Sequence, residues 1–403
     1  FNLSGIYPFS DVKGRVPSIS IVSNFSNFPL KFINLFIPNF FQLRGQVSGE
    51  LLINGSLQKS YYDYNLKVNN MYFDLVKLGE VFSKGSYNNN KLIVNRFKSI
   101  SSNGEINSSG NIPFDLNLGS KNFGKLFNNE ILDFQIDSKM KSLPFLTPYI
   151  SDLDSVIGDF DASLHLSGIP NNIQRNGKFS VENGRMYSIQ LSAPIKEING
   201  LAVINENILT IDKMFALIYN PSSNYLEQKQ PNTQIAGVID FSQFFKPKYD
   251  ISIKAKDASY ELLSVDISGL ANLDLNISGR DTVEVSGRIE SINAKVFYEF
   301  NTEEIGTAID DNGIVMSYNL NIPLRSSAFF QNSQIDAELL GEINLSQKGH
   351  QEIDFGGQII VEDGSVFSYK DNFKELQGIV NFDNKGFNPS VDVNAFTFIE
   401  DER

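Results

Sequence analysis

The chain has 403 residues, a formal net charge of −13, two histidines, no cysteine and no tryptophan. The missing cysteines exclude disulfides and thiolate metal sites, and an acidic balance without a basic cluster argues against nucleic acid as a main partner, because phosphate binding needs a positive field. No apolar run reaches the length of a membrane-spanning helix; the oiliest stretch, Leu30 to Phe41, is broken by Lys31, Asn34, Pro38 and Asn39.

The chain starts at Phe1 without a signal-peptide pattern, from which a piece of a longer protein is expected. Ser18 to Val22 alternates apolar and polar residues and reads as a strand. Phe28 to Gly45 follows, with Pro29 and Pro38 around an apolar run, and reads as a short helical or turn segment feeding a strand. Gly45 to Gly55 is that strand. Its even offsets are Val47, Gly49, Leu51 and Ile53, and its odd offsets are polar except Leu52. Tyr64 to Val68, Met71 to Leu75, Leu92 to Phe97 and Ser102 to Ile112 read as further strands, and Pro113 to Leu118 closes the first unit.

The pattern then returns. Leu143 to Gly158 repeats the proline-flanked apolar segment, and Gly158 to Gly168 places Phe160, Ala162, Leu164 and Leu166 at even offsets. Strands follow at Lys178 to Val181, Gly184 to Leu191, Leu209 to Ile211, Gln234 to Phe241 and Tyr249 to Ala255, with a polar loop at Asn220 to Asn232. A third copy runs from Ala258 through Gly269 to Gly279, with Ala271, Leu273, Leu275 and Ile277 at even offsets and Leu270 as the one apolar odd position. Agreement of glycine spacing and phase in three copies marks a repeat. Strands at Val283 to Ile289, Ala294 to Phe300 and Val315 to Ile322 follow, around a polar loop at Asn301 to Asn312. The expected units are 1–142, 143–257, 258–340 and 341–403.

One-faced alternation over this length predicts an all-β protein built on one extended antiparallel sheet whose apolar face must be covered by a second sheet or by its own curl. Gly356 to Ala395 favours the curl. Gly356-Gly357, Ile359 to Val361, Gly364, Phe367 and Tyr369, Phe373, Gly378 to Phe382, Pro389 and Val391 to Ala395 resemble the C-terminal domain of the TamB family, within the wider AsmA-like group. Leu143 to Gly168 and Asn103 to Leu116 are similar to that family's recurring units. The pattern departs at Lys370, Asp371 and Asn372, where a glycine often stands.

The resemblance implies a curled antiparallel sheet, a β-taco or repeating β-groove with an apolar interior, and short helices at the repeat starts. It implies a bacterial periplasmic protein, anchored in the inner membrane by a segment outside this chain. Such a protein carries phospholipids towards the outer membrane, or assembles outer-membrane proteins with a BamA/TamA-type barrel. On that reading the acyl chains lie on Val47, Leu51, Ile53, Phe160, Leu164, Leu166, Leu273, Leu275, Ile277, Ile343, Leu345, Ile359, Val361, Val391 and Val393. With about 25 to 30 strands, stacked about 4.8 Å apart, such a groove would run on the order of 120 to 140 Å.

No enzyme and no cofactor is expected. Two histidines and no cysteine give little support to a nucleophile-histidine-acid site or a zinc site, and Gly356-Gly357 is no phosphate loop. His165, Asp159, Asp161 and Glu182 read as a solvated strand face and His350 as a turn residue; Asp152, Asp154, Asp159 and Asp161 lack the spacing of a calcium loop. The alternative from another class, a surface β-solenoid adhesin or stalk, would repeat every 20 to 30 residues, a period absent here.

Overall fold

The computed structural model describes residues 2–6, 18–35, 42–74, 76–144, 146–147, 153–221, 230–243, 246–263, 266–297, 315–368, 371–386 and 388–397. These residues form almost nothing but strands. In chain order they are β1 (Asn2–Ile6), β2 (Ile19–Pro29), β3 (Leu43–Gly55), β4 (Ser60–Phe73), β5 (Val76–Asn88), β6 (Lys91–Ser101), β7 (Gly104–Ile112), β8 (Leu132–Ser142), β9 (Leu153–Ile169) and β10 (Asn172–Ser188). Then come β11 (Ile195–Asn205), β12 (Ile208–Leu217), β13 (Thr233–Asp240), β14 (Lys248–Leu262), β15 (Ile267–Gly279), β16 (Thr282–Phe297), β17 (Val315–Gln331), β18 (Ile335–Gln347), β19 (Asp354–Ser368), β20 (Asp371–Asp383) and β21 (Ser390–Phe396).

The described strands number 21, against the roughly 25 to 30 expected for the whole chain, and bulges join some segments that read separately in the sequence. Tyr64–Val68 and Met71–Phe73 are two halves of β4, with the register shifting between Val68 and Met71. The two segments around Asn293 are likewise one strand, β16, shifted between Ile292 and Lys295.

Contacts divide the chain into two compact units. The first holds Phe1–Ser151, Ser155–Glu182 and Ala202–Asn207, and the second holds Asp152–Asp154, Asn183–Leu201 and Ile208–Arg403. In the first, each strand from β1 to β9 pairs antiparallel with the next. In the second, β12 to β16 and β17 to β21 do the same. One pair departs from the expected antiparallel sheet: β16 and β17 run parallel. A parallel neighbour needs a long connection, and residues 298–314 separate these two strands. The polar loop expected at Asn301 to Asn312 lies outside the described residues.

Among the described residues one of the expected helices is present; at the second repeat start residues 145 and 148–152 lie outside the described ones. Leu30–Leu35 forms a 3-10 helix. Ala258–Leu262, at the third repeat start, is instead the end of β14, paired from Ala258↔Ala271 to Leu262↔Ile267. Its alternating side chains extend the ladder, which satisfies the backbone groups without a helix.

Two devices bend these strands. Bulges place an Asn or Asp in the left-handed region, as at Asn27 (φ 51), Asn70 (φ 49) and Asp257 (φ 50), where short polar side chains are tolerated. The neighbouring strand steadies two of them. The Asn27 N–H donates to Ser48 Oγ at 3.0 Å, and the Asp257 N–H donates to Asn272 Oδ1 at 2.9 Å. Ser48 and Asn272 occupy the same offset in the first and third repeat, so this polar position has a structural task. The second device is glycine on the apolar side of the sheet. Gly287 (φ 131) lies opposite Leu275, and a Cβ there would sit 2.2 Å from the Asp274 carbonyl oxygen. Gly110 (φ 140) has the same relation to the Asp133 carbonyl oxygen, at 2.2 Å. Strands approach this closely only where no Cβ intervenes, which lets each sheet curl.

Candidate functional site

Directly paired residues on neighbouring strands point to the same face, so the register traces what each face carries. In the first unit one row runs Leu51, Tyr64, Gly85, Val94, Gly110, Phe134 and Leu166 from β3 to β9. Neighbouring rows hold Ile136 with Leu164, Met140 with Phe160, and Val47 with Val68 and Val81. In the second unit a row runs Ile235, Ile253, Leu275, Gly287, Leu320, Leu345 and Phe355 from β13 to β19. Beside it lie Ile251, Ile277 and Val285, then Ile322, Ile343, Gly357 and Phe382, and then Ile359, Val380 and Val391.

The fifteen residues singled out in the sequence therefore fall on one apolar face in each unit: Val47, Leu51, Ile53, Phe160, Leu164 and Leu166 in the first, and the other nine in the second. Their burial differs. Val47, Ile53, Phe160, Ile359 and Val361 are buried. Leu51, Leu164, Leu166, Leu273, Leu275, Ile277, Ile343 and Leu345 are half-buried. Val391 and Val393 are exposed, at 59% and 37%. A sealed core would bury all of them. The middle of the face is instead partly wet.

The opposite face carries the charge. Lys67–Glu80 (3.4 Å), Lys98–Glu105 (3.0 Å) and Lys254–Asp274 (3.3 Å) bridge neighbouring strands. The Lys98 ammonium, by hydrogen bond and by charge, holds the Glu105 carboxyl below its usual range. His165 pairs with Asp133 across β8 and β9 at 2.7 Å, while Asp159 is taken by Lys141. His350 is exposed in a turn closed by the Gln351 N–H and the Lys348 carbonyl. Asp152 lies outside the described residues. Among the described residues no three His, Cys, Asp or Glu side chains gather to hold a metal. Exposed pairs of this kind contribute about 0–1 kcal/mol each and chiefly keep this face in water.

Two elements border the apolar face of the first unit. Leu30 of the 3-10 helix packs with Val47, Val68 and Val81, joined by Phe28, Leu66 and Phe97. At the other strand ends, the segment between β7 and β8 folds over Tyr62 and Tyr87. Tyr62 OH donates to the Leu116 carbonyl at 2.5 Å, and Tyr87 OH accepts from the Leu116 N–H at 3.1 Å. Asn117 sits between Ser60, Tyr87, Asn90 and Asp115, bonded to all four. Pro113 to Leu118, which closes the first unit in the sequence, is an irregular hairpin apart from the single bridge Phe114↔Leu126; side chains take the Leu116 N–H and carbonyl and the Asn117 and Leu118 N–H groups.

Burial pushes the Tyr62 phenol up to about 12, with the nearby Tyr87 and Asp115 adding to the effect and a Ser60 hydrogen bond opposing it. The unfolded phenol titrates near 10. The unfolded chain therefore loses its proton first, and the first unit loses stability as pH rises from about 10 towards 12. A phenolate titration of the native protein should show a late component that Tyr62→Phe diminishes; a Tyr62 that titrates with the exposed tyrosines would contradict this packing.

Alternation alone missed much of the apolar face. Ile235, Ile253, Leu320, Val380 and Phe134 belong to it, yet in the sequence either phase of their strands could have faced inward. Of the glycines between them, Gly110 reads only as punctuation between short strands, and nothing marks Gly287 within the strand expected at Val283 to Ile289. Leu52 and Leu270, which broke the repeat pattern, lie off the face: Leu52 opposes Val22 on the outer side, and Leu270 follows a register shift between β15 and β16.

Among known proteins, the family described as TamB C-terminal domain matches residues 94–304, 211 of the 403 residues. The match covers the second and third repeats and stops short of Gly356 to Ala395. No curated protein and no solved structure matches.

Proposed function

The chain belongs to the TamB family, bacterial envelope proteins of the outer-membrane assembly system, and on that premise we propose that it carries phospholipid acyl chains along the apolar face of its sheets. The observation that supports this is the pair of cross-strand rows from Leu51 to Leu166 and from Ile235 to Phe355, most of whose residues are half-buried. An acyl chain laid on such a row keeps each CH₂ from water, worth about 0.8 kcal/mol apiece. Seven strands stacked about 4.8 Å apart give each traced row a path of roughly 30 Å, against about 15 Å for one leaflet's hydrocarbon. About two chains fit end to end in each row.

The traced rows carry no charged residue, so the head group would stay at the watery margin and select weakly among lipids. Movement along a uniform apolar face needs no nucleotide and no bond-making, so the protein acts as a conduit and not as an enzyme. In this reading it works in the periplasm, tied to the inner membrane by a segment outside this chain, and hands lipid on near a BamA/TamA-type barrel. Among the described residues no helix is long and apolar enough to cross a membrane. A β-solenoid stalk is disfavoured, because solenoid coils stack their strands in parallel, whereas all but one of the pairs traced above are antiparallel.

Native mass spectrometry of the purified chain, with lipid analysis of what is released, tests the proposal. Two or more phospholipids per chain are expected. A lipid-free chain that also refuses added fluorescent phospholipid would overturn it and favour a docking role for outer-membrane protein strands.

A further inference from the structure

The hairpin between β7 and β8, residues 113–131, is the longest described stretch outside the strands. Segments of this length without their own regular structure are commonly functional. Its inner half is a rigid frame. Asp115 and Asn117 are buried, and Asp115 Oδ2 accepts the Ser120 hydroxyl at 2.6 Å. The Asp115 N–H bonds the Lys125 carbonyl and the Gly124 N–H bonds the Asp115 carbonyl, each at 2.8 Å. The Gly119 N–H reaches the Leu57 carbonyl of the β3–β4 turn at 2.7 Å.

What this frame holds outward is apolar and basic. Leu118, Phe123 and Leu126 are 36%, 38% and 38% exposed. Lys121 and Lys125 flank Phe123, are exposed, and have no acidic partner among the described residues. The frame leaves more than a third of each of these oily residues in water, where a hairpin built for stability alone would turn them further inward. We propose that this tip docks on an anionic phospholipid surface, with Phe123 and Leu126 entering the interfacial layer and Lys121 and Lys125 meeting head-group phosphates. Interleaved aromatic and lysine residues bind such surfaces by combining buried apolar area with attraction to the lipid charge. The chain's net charge of −13 repels the rest of the molecule from an anionic surface, which confines contact to the locally basic tip. The inference deepens the carrier reading and rests on it: Tyr62 and Tyr87 tie the hairpin to the margin of the apolar face, so a docked tip sets that margin against the lipid.

Flotation with phosphatidylcholine vesicles, with and without phosphatidylglycerol, tests the contact. The wild-type chain should float with the anionic vesicles and release them at high salt. Lys121→Gln/Lys125→Gln should weaken the association on the order of thirtyfold, and Phe123→Ser/Leu126→Ser should abolish it. Both variants change exposed side chains and should keep the wild-type circular dichroism and carried lipid. A wild type that carries lipid but ignores anionic vesicles overturns the contact alone, as do variants that float like wild type. A wild type that floats yet carries no lipid overturns the carrier reading and leaves the contact standing.

Discussion

Leu275→Asp is expected to leave the second unit folded and to empty it of lipid. Leu275 lies inside the longest apolar row there, between Ile253 and Gly287. It is half-buried, and the glycine beside it offers no side chain. A carboxylate at this position keeps access to water. The fold loses part of one leucine's burial, about 1–2 kcal/mol, which lowers the melting midpoint by about 2–8 °C for a unit of this size. An acyl chain crossing the same point meets a charge in hydrocarbon contact, a penalty of roughly 2.5–3.5 kcal/mol. Occupancy at that point should fall on the order of a hundredfold. Circular dichroism and native mass spectrometry on the same sample decide the matter. A variant that unfolds outright would mean a sealed core, and one that folds with its full lipid complement would mean that lipid does not pass Leu275.

Gly287→Val should strongly destabilise the second unit. The added Cβ would meet the Asp274 carbonyl oxygen at 2.2 Å and the Leu275 Cα at 3.0 Å, on a backbone at φ 131 that side chains rarely adopt. Backbone strain costs about 1–3 kcal/mol and overpacking a similar amount, so a loss of about 3–5 kcal/mol is expected. Urea unfolding should show it as a lower midpoint. Gly386→Ala is the control. Its φ is also positive, 61, but nothing lies within 4 Å of the new Cβ, so only the left-handed penalty of about 1–2 kcal/mol applies. If the two variants unfold alike, close strand approach at Gly287 is not what curls this sheet.

Much of this protein was legible in its sequence because a strand's side chains alternate with a period of two. The three glycine-bounded repeats marked β3, β9 and β15, and their even positions landed together on one face of each unit. The same rule correctly left His165 and Asp161 on the charged side. Alternation is local, however, and cannot say which phase of an unmarked strand faces inward. That choice belongs to register, set by hydrogen bonds between segments far apart in the chain, so Ile253, Leu320 and Phe134 joined the apolar face only once their partners were known. Bulges at Asn70 and Asn293 hid single strands behind what read as two, since an extra residue flips the local phase. The parallel step between β16 and β17 was equally invisible, because strand direction leaves no mark on composition. The hairpin frame around Asn117 had no local signature either: its partners Ser60, Tyr87 and Asn90 lie on other turns and strands, and a buried polar network exists only once the chain has folded. The sequence by itself thus determined an all-β chain with one oily and one wet face. Tertiary structure alone decided which strands share the oily face, how glycines curl it and which residues guard its margin, because those depend on long-range backbone pairing that no local pattern encodes.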